Sequence, residues 1–276
     1  MSNVKRGVYV LPNLVTSANL FFGFFAIIHA IKVTLNERFT YHTCAYYILA
    51  AAVLDMMDGR VARKYNSASK FGIEYDSLCD LVSFGLAPAL VTYLWMFQNL
   101  GRLGWVICFL YVACAALRLA RFNVQAVSVE NKHFQGLPVP MAAMLLCGML
   151  LVYRGQDVSN MIVPIFITLR TQVLMLMFLV ALVMVSDIPY RNTKSLSMRQ
   201  RVPFYYLLMG VLLIVIFVMN PKWIMFGLGL IYFVSGPTEW MIRKIFHKPM
   251  PAAAPYAKIK KNDSKEVRLI NTKNLP

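Results

Sequence analysis

Acidic residues are scarce in this chain, whose 276 residues include 12 Asp and Glu against 28 Lys and Arg, for a formal net charge of +16. An excess of positive charge is typical of nucleic-acid-binding proteins. However, 59% of the residues are hydrophobic, more than the roughly 45–50% of soluble globular domains. The basic residues are concentrated between the apolar blocks, as the positive-inside rule of membrane insertion predicts. We therefore expect no nucleic-acid partner.

Histidine and cysteine are also sparse. The four histidines are scattered, and none of the five cysteines forms a CxxC pair. Most of the cysteines lie inside apolar blocks, where they are expected to act as small hydrophobic residues. This excludes a His/Cys metal site, a disulfide framework and a Cys-His nucleophile as the basis of function.

The hydrophobic residues fall into blocks long enough to cross a bilayer, which takes about 17–25 residues per helix. These blocks predict an all-α, polytopic integral membrane helix bundle with about eight transmembrane helices. The fifth and sixth blocks are short, and the apolar stretch Met161–Leu169 between them either lengthens one of them or lies at the interface. The predicted spans are Leu14–Val33, Tyr41–Met57, Ile73–Phe97, Trp105–Ala120, Val139–Tyr153, Gln172–Val185, Phe204–Met219 and Trp223–Ile242.

The basic residues set the orientation of these spans. With both termini inside, the Lys and Arg that remain outside are only Lys32, Arg38, Arg102, Arg154, Arg170 and Lys222. The opposite orientation would reverse this bias. Residues 1–248 are predicted to form one membrane domain, and residues 249–276 a basic, disordered cytoplasmic tail beside anionic lipid.

Four of the 12 acidic residues lie in one short pattern, Asp55-x2-Asp58-Gly59-x2-Ala62-Arg63-x8-Gly72-x3-Asp76-x3-Asp80. The pattern spans the end of the second apolar block and the start of the third. Asp55 and Asp58 share one helix face, and Gly72, Asp76 and Asp80 share another. We expect the two faces to meet at the cytoplasmic surface of the membrane and to bring the four carboxylates together.

Carboxylates at membrane depth are costly and normally mark a functional site. Four of them together need cations, and divalent metal ions with oxygen ligands are the simplest answer. The alternative is a proton or ion pathway in a transporter, but transporters usually distribute such acids over several helices. Here the acids are concentrated at one surface with glycines and an arginine between them, which favours an enzyme acting on phosphate.

This pattern fills all eight fixed positions of the CDP-alcohol phosphotransferase signature, and the chain therefore resembles that family. The resemblance implies a homodimeric membrane enzyme with two divalent ions, Mg²⁺ or Mn²⁺, bound by Asp55, Asp58, Asp76 and Asp80. It assigns the general base to Asp80, although the residues alone do not distinguish Asp80 from Asp76. It also implies a cytidine diphosphate site made by Asp58, Gly59, Ala62, Arg63 and Gly72. For the glycines, tight helix packing in lipid is the alternative interpretation.

The acceptor alcohol has to be inferred from segments outside this pattern. They resemble the serine-accepting branch of the family, which implies CDP-diacylglycerol and L-serine as substrates at a cytoplasm-facing site of a bacterial-type inner membrane. Acceptors that stay open are glycerol 3-phosphate, an inositol phosphate and choline. The segments are Pro12-Asn13-Leu14-Val15-Thr16 with Asn19 and Gly23, Arg118-x2-Arg121-Phe122-Asn123, Phe134-x-Gly136-Leu137-Pro138-x-Pro140 and Ser186-x3-Tyr190-x3-Lys194.

Arg118 and Arg121 lie one helical turn apart at the cytoplasmic end of the fourth span, so both can point into one site. Either guanidinium can clamp the carboxylate of serine bidentately, and the sequence does not say which one does. The alternative is that the two arginines only anchor the cytoplasmic end of the helix, as the positive-inside rule predicts. Asn123 and Lys194 are further candidates for contacts with serine or with the lipid phosphate.

Overall fold

The structure, a computed structural model, describes residues 3–35, 40–64, 70–126, 133–153, 163–191 and 220–246. Nearly all of them are helical, and two strands of three residues lie in the loops. The helices are α1 (Asn3–Leu35), α2 (Tyr41–Lys64), α3 (Lys70–Asp80), α4 (Ala87–Thr92), α5 (Arg102–Ala126), α6 (Val139–Val152), α7 (Val163–Val185) and α8 (Pro221–Ile245). The strands are β1 (His133–Gln135) and β2 (Pro189–Arg191).

The chain is an all-α, multi-pass membrane protein, as the hydropathy pattern predicts. Within the described residues, three helical stretches are long and apolar enough to cross a membrane, namely Asn13–Leu35, Phe71–Leu100 and Arg102–Val124. Shorter apolar helices cover Val139–Val152 and Arg170–Val185. Because α7 begins at Val163, the apolar stretch after Met161 lengthens the sixth predicted span. The predicted span Phe204–Met219 lies outside the described residues, so the count of eight stays a prediction.

The third membrane helix changes its winding directly after Asp80. A π-helix over Leu81–Leu86 follows α3, and a second one over Tyr93–Phe97 follows α4. Pro88 explains the first, because proline has no N–H to offer the carbonyl of Phe84 four residues earlier. The hydroxyl of Tyr111 on α5 donates to that carbonyl instead, at 3.0 Å. The hydrogen bond from Tyr111 therefore holds α5 against the third membrane helix, just after the acidic pattern.

Small residues line the buried faces of α1 and α2. Ala26 and Ala30 on α1 and Cys44, Ala45 and Ala51 on α2 are fully buried. Small side chains let helix backbones approach closely, which is a common way to pack helices in lipid. α1 packs along α2, α5 along α7, and α6 against α8. α1 also packs against α3, so it contacts both helices that carry the acidic pattern.

The loops after α5 and α7 are joined by an antiparallel pair of strands. Phe134 in β1 pairs with Tyr190 in β2. The chain then turns sharply at Gly136, where φ is +74° and the carbonyl of Met184 leaves no room for a Cβ. Burial raises the pKa of the Tyr190 phenol, which donates to the carbonyl of Phe233 on α8 at 3.0 Å. The two loops therefore lie on the same side of the bundle.

Candidate active site

The carboxylates of the acidic pattern converge between α2 and α3. Asp55 lies on α2, and Asp76 and Asp80 lie one turn apart on α3. One carboxylate oxygen from each of these three residues lies within 4.8 Å of the others. The prediction that the two helix faces meet is thus confirmed. Helical spacing gives each helix its acidic face, and α1, which packs against both α2 and α3, brings the two faces together.

Asp58, the fourth carboxylate, is held beside this group by α1. It is buried, and the hydroxyl of Thr16 donates a hydrogen bond to its Oδ2. Asp58 is also close enough to Asp76 and Asp80 to interact with both electrostatically. All four acids of the pattern therefore belong to one negatively charged cleft, which we call the acidic cleft.

Asp80 is buried and is also contacted by α1. The side-chain amide of Asn19 donates to Asp80 Oδ1 at 3.0 Å, and Asn19 itself is fully buried. The hydroxyl of Ser83, in the first π-helix, donates to the carbonyl of Asn19 at 3.1 Å. A Cβ at Gly23 would lie 2.6 Å from Ser83 Cα, so this crossing of helices requires glycine.

The residues of the acidic cleft fit a divalent cation. Asp76 Oδ1 is buried and has no hydrogen-bond partner among the described residues. A buried, negatively charged oxygen without a donor is costly, and a metal ion can satisfy it. The group made by Asp55, Asp76 and Asp80 offers only carboxylate oxygens, which hard cations such as Mg²⁺ and Mn²⁺ prefer.

The rest of the acidic pattern flanks this cleft. Gly59 follows Asp58 on α2, and Gly72 lies one turn before Asp76 on α3. Both glycines are partly buried. Ala62 and Arg63 belong to α2, but their side chains lie outside the part of the chain that the structure describes. The helical spacing of the glycines and acids is as predicted, and the contacts of the nucleotide stay a prediction.

Arg118 on α5 lies at the edge of the acidic cleft. Its side chain is 7% exposed, and it interacts electrostatically with Asp80 and with Tyr232 on α8. Its Nε is buried without a hydrogen-bond partner in the described part of the chain. No described acidic residue is within ion-pairing distance of it. A buried guanidinium in this situation can receive an anionic group of a ligand.

The structure separates Arg121 from Arg118. Arg121 forms an ion pair with Asp187 and donates to the carbonyl of Val185 at 3.1 Å, both at the end of α7. The sequence allowed both arginines to point into one site, but only Arg118 lies beside the cleft. The reason is that Asp187, 66 positions further along the chain, offers Arg121 a carboxylate of its own.

The other two candidates for substrate contacts have different outcomes. Asn123 donates to Glu74 Oε2 at 3.1 Å and to Ser77 Oγ at 3.0 Å, so its amide links α5 to α3. These bonds occupy the amide nitrogen away from the acidic group. Lys194 lies outside the described residues.

Sequence reasoning assigned no role to three residues that touch this region. Thr16 and Asn19 are named in the sequence analysis only as part of an N-terminal segment. Two polar residues one turn apart in an apolar helix could have indicated a buried polar contact. Tyr232 carried no signal, because nothing local in α8 indicates that it lies near Arg118.

Comparison with known proteins agrees with this geometry. Residues 9–185 match the model of the CDP-alcohol phosphatidyltransferase family. The chain therefore belongs to that family, as the acidic pattern predicts, and it is a transferase of phospholipid biosynthesis.

Several similar proteins carry the name CDP-diacylglycerol–serine O-phosphatidyltransferase. The protein of that name from Helicobacter pylori strain J99 is 35% identical over 246 residues, which cover 87% of this chain and 96% of the relative. The one from Methanocaldococcus jannaschii is 34% identical over 185 residues, covering 67% of this chain and 75% of the relative. The one from Saccharomyces cerevisiae is 38% identical over 147 residues, covering 50% and 52%.

Proposed function

We propose that this enzyme transfers the phosphatidyl group of CDP-diacylglycerol to the hydroxyl of L-serine, giving phosphatidylserine and CMP. The observation that carries the proposal is the buried Arg118 beside a cleft of converging carboxylates. The cleft suits a pyrophosphate with its cations, and the guanidinium suits a carboxylate on the acceptor. The names of the similar proteins support the same donor and acceptor.

Asp55, Asp58, Asp76 and Asp80 are the residues that would hold the metal, which we propose to be two Mg²⁺ or Mn²⁺ ions. Such ions, when bound, neutralise charge on the phosphoryl oxygens and on the leaving group. Gly59, Ala62, Arg63 and Gly72, together with Asp58, are proposed to contact the cytidine diphosphate. Glycines allow close approach of the nucleotide, and an arginine offers a planar fork of donors to phosphate.

Asp80 is proposed to be the general base. The Asn19 amide donates to Asp80 Oδ1, and each carboxylate oxygen has two lone pairs, so Asp80 can hold a metal ion and also accept the proton of the serine hydroxyl. The serine oxygen attacks the phosphorus that bears diacylglycerol, the bond from that phosphorus to the CMP oxygen breaks, and CMP leaves. A single displacement is sufficient, because both substrates are held in one site and no enzyme nucleophile is needed.

Arg118 is proposed to bind the carboxylate of serine. Of the two arginines considered from the sequence, it is the one beside Asp80, whereas Arg121 is paired with Asp187. Arg121 and Asn123 are expected to hold helices together instead, because the terminal guanidinium nitrogens of Arg121 donate to Val185 and Asp187, and the amide of Asn123 donates to Glu74 and Ser77. Lys194 is retained as a candidate for the lipid phosphate.

The cellular setting is proposed from the charge pattern. The acidic cleft faces the cytoplasm of a bacterial-type inner membrane, where a cytidine nucleotide and free serine are available. Residues 1–248 form the membrane domain, and residues 249–276 form the basic tail. We also propose that the enzyme works as a homodimer.

The test is CMP release by the purified enzyme in detergent with CDP-diacylglycerol and Mg²⁺ or Mn²⁺. L-Serine, glycerol 3-phosphate, an inositol phosphate and choline are supplied one at a time. We expect metal-dependent release with serine, and none with the other three. Release with another acceptor would overturn the serine assignment while keeping the transfer chemistry, and the absence of release with any acceptor would overturn both.

A further inference from the structure

One face of α1 contacts both helices of the acidic cleft through neutral donors. Thr16 and Asn19 are one turn apart on α1, and both are buried. Thr16 donates to Asp58 on α2, and Asn19 donates to Asp80 on α3. A single helix thus holds one carboxylate from each half of the cleft.

The packing of α1 against the first π-helix leaves the backbone around Asn19 little freedom to move. Gly23 lies one turn after Asn19 and packs directly against Ser83, where any side chain would collide with the Ser83 backbone. The Ser83 hydroxyl donates back to the carbonyl of Asn19. Two contacts with Ser83, one at the Asn19 carbonyl and one at Gly23, therefore set the position of the Asn19 amide relative to Asp80.

Neutral donors suit a cleft that has to remain negatively charged. Carboxylates that share a desolvated site repel one another and tend to turn apart. A lysine or arginine would hold them, but it would also cancel the charge that attracts a divalent cation. A hydroxyl and an amide fix the orientation of the carboxylates and leave the net charge unchanged. Groups that orient ligands in this way contribute about 10–100-fold to metal affinity or activity.

We propose that Thr16 and Asn19 are positioning residues, which hold Asp58 and Asp80 in the orientation that binds the divalent cations before substrate arrives. The inference rests on the proposed function only in taking the acidic cleft to be the metal site. It does not depend on which alcohol is the acceptor.

The test uses pairs of variants that keep or remove the donor. Thr16→Val removes the hydroxyl at nearly constant volume, and Thr16→Ser keeps it. Asn19→Leu removes the amide, and Asn19→Gln keeps an amide donor. Ser17→Ala is the matched control, because the Ser17 hydroxyl contacts Tyr75 at 2.9 Å and the Asn13 carbonyl at 2.7 Å, away from the carboxylates.

Mn²⁺ binding is measured directly on each purified full-length variant without substrates, by electron paramagnetic resonance of the free ion. We expect Thr16→Val and Asn19→Leu to weaken Mn²⁺ binding about 10–100-fold, and Asn19→Gln to bind more tightly than Asn19→Leu because it keeps the donor. Thr16→Ser and Ser17→Ala should bind as the wild type does. CMP release should show a lower kcat for the first two variants with an unchanged KM for serine.

Two results would overturn the inference. One is wild-type Mn²⁺ affinity in Thr16→Val and Asn19→Leu, and the other is equal loss of affinity in Thr16→Ser and Thr16→Val with matching losses of Tm, which would show a packing role. Failure of the proposed function looks different. An enzyme that uses another acceptor but loses Mn²⁺ affinity in the donor-free variants would refute the serine assignment and support the positioning role.

Discussion

The acidic cleft and the junction between α5 and the end of α7 both bring charged side chains from separate helices together. At the junction, Arg121 meets Asp187 and the carbonyl of Val185, so the charge is balanced within the protein. In the cleft, three carboxylates converge, and Asp76 Oδ1 is buried without a partner among the described residues. Balanced charges hold a structure together, whereas unbalanced ones indicate a ligand that brings the opposite charge.

Arg118 and Arg121 show the same contrast within one helical turn. Arg118 is buried beside Asp80 without an ion pair among the described residues, while Arg121 is partly exposed and paired. The two residues are chemically identical and one turn apart. Their partners, rather than their residue type, indicate that Arg118 is a candidate for binding substrate and that Arg121 holds two helices together.

The largest effect is expected for Asp80→Asn, which removes the proposed base and a metal ligand at once. Turnover should fall by about 10²–10⁴-fold, the usual contribution of a general base, or by more if metal is lost as well. The measurement is CMP release at saturating serine, donor and metal. An enzyme with near-normal turnover would show that the proton is taken by another group.

The next largest effect is expected for Arg118→Gln, which leaves the carboxylate of serine without a cation. Charge-assisted hydrogen bonds are worth about 1.5–3 kcal/mol, which corresponds to roughly 10–100-fold in binding. The KM for serine should rise by that factor, while the KM for CDP-diacylglycerol stays the same. Arg118→Lys is the matched variant, and it should recover only part of the loss because an ammonium cannot bind a carboxylate bidentately.

A change confined to the donor KM in Arg118→Gln would contradict this assignment. It would place the guanidinium on the lipid phosphate. Arg118 would then bind the lipid donor and not the acceptor.

The smallest effect is expected at the junction. Arg121→Gln and Asp187→Asn each remove one side of an ion pair whose side chains are 27% and 77% exposed. Such pairs are worth at most about 1 kcal/mol, so Tm should fall slightly and the KM for serine should not change. If Arg121→Gln raised that KM as much as Arg118→Gln does, balanced charge would not be a guide to structural residues in this protein.

The parts of the site that follow from helical periodicity could be predicted from the sequence. The spacing of Asp55 and Asp58, and that of Asp76 and Asp80, determines which acids share a helix face, because the rise and turn of a helix are local properties. Seven of the eight predicted spans also coincide with helices of the structure, since apolar runs of that length have few alternatives in a bilayer.

The parts that depend on long-range contacts could not be predicted. The pairing of Arg121 with Asp187 and the approach of Tyr232 to Arg118 join residues far apart in the chain. The contact of Asn19 with Asp80 follows from the docking of α1 on the π-helix after Asp80, and the absent side chain of Gly23 allows that docking. Neither feature changes the hydropathy pattern.

The measurement that tests the central claim most directly is Mn²⁺ binding to the purified wild-type enzyme and to Asp76→Asn, with Asp187→Asn as the control for loss of a carboxylate elsewhere. The account predicts that the wild type and Asp187→Asn bind Mn²⁺ equally, and that Asp76→Asn loses most of this affinity. Equal binding by all three proteins would contradict the claim that the acidic cleft, with its buried Asp76 oxygen that has no partner among the described residues, is a metal site.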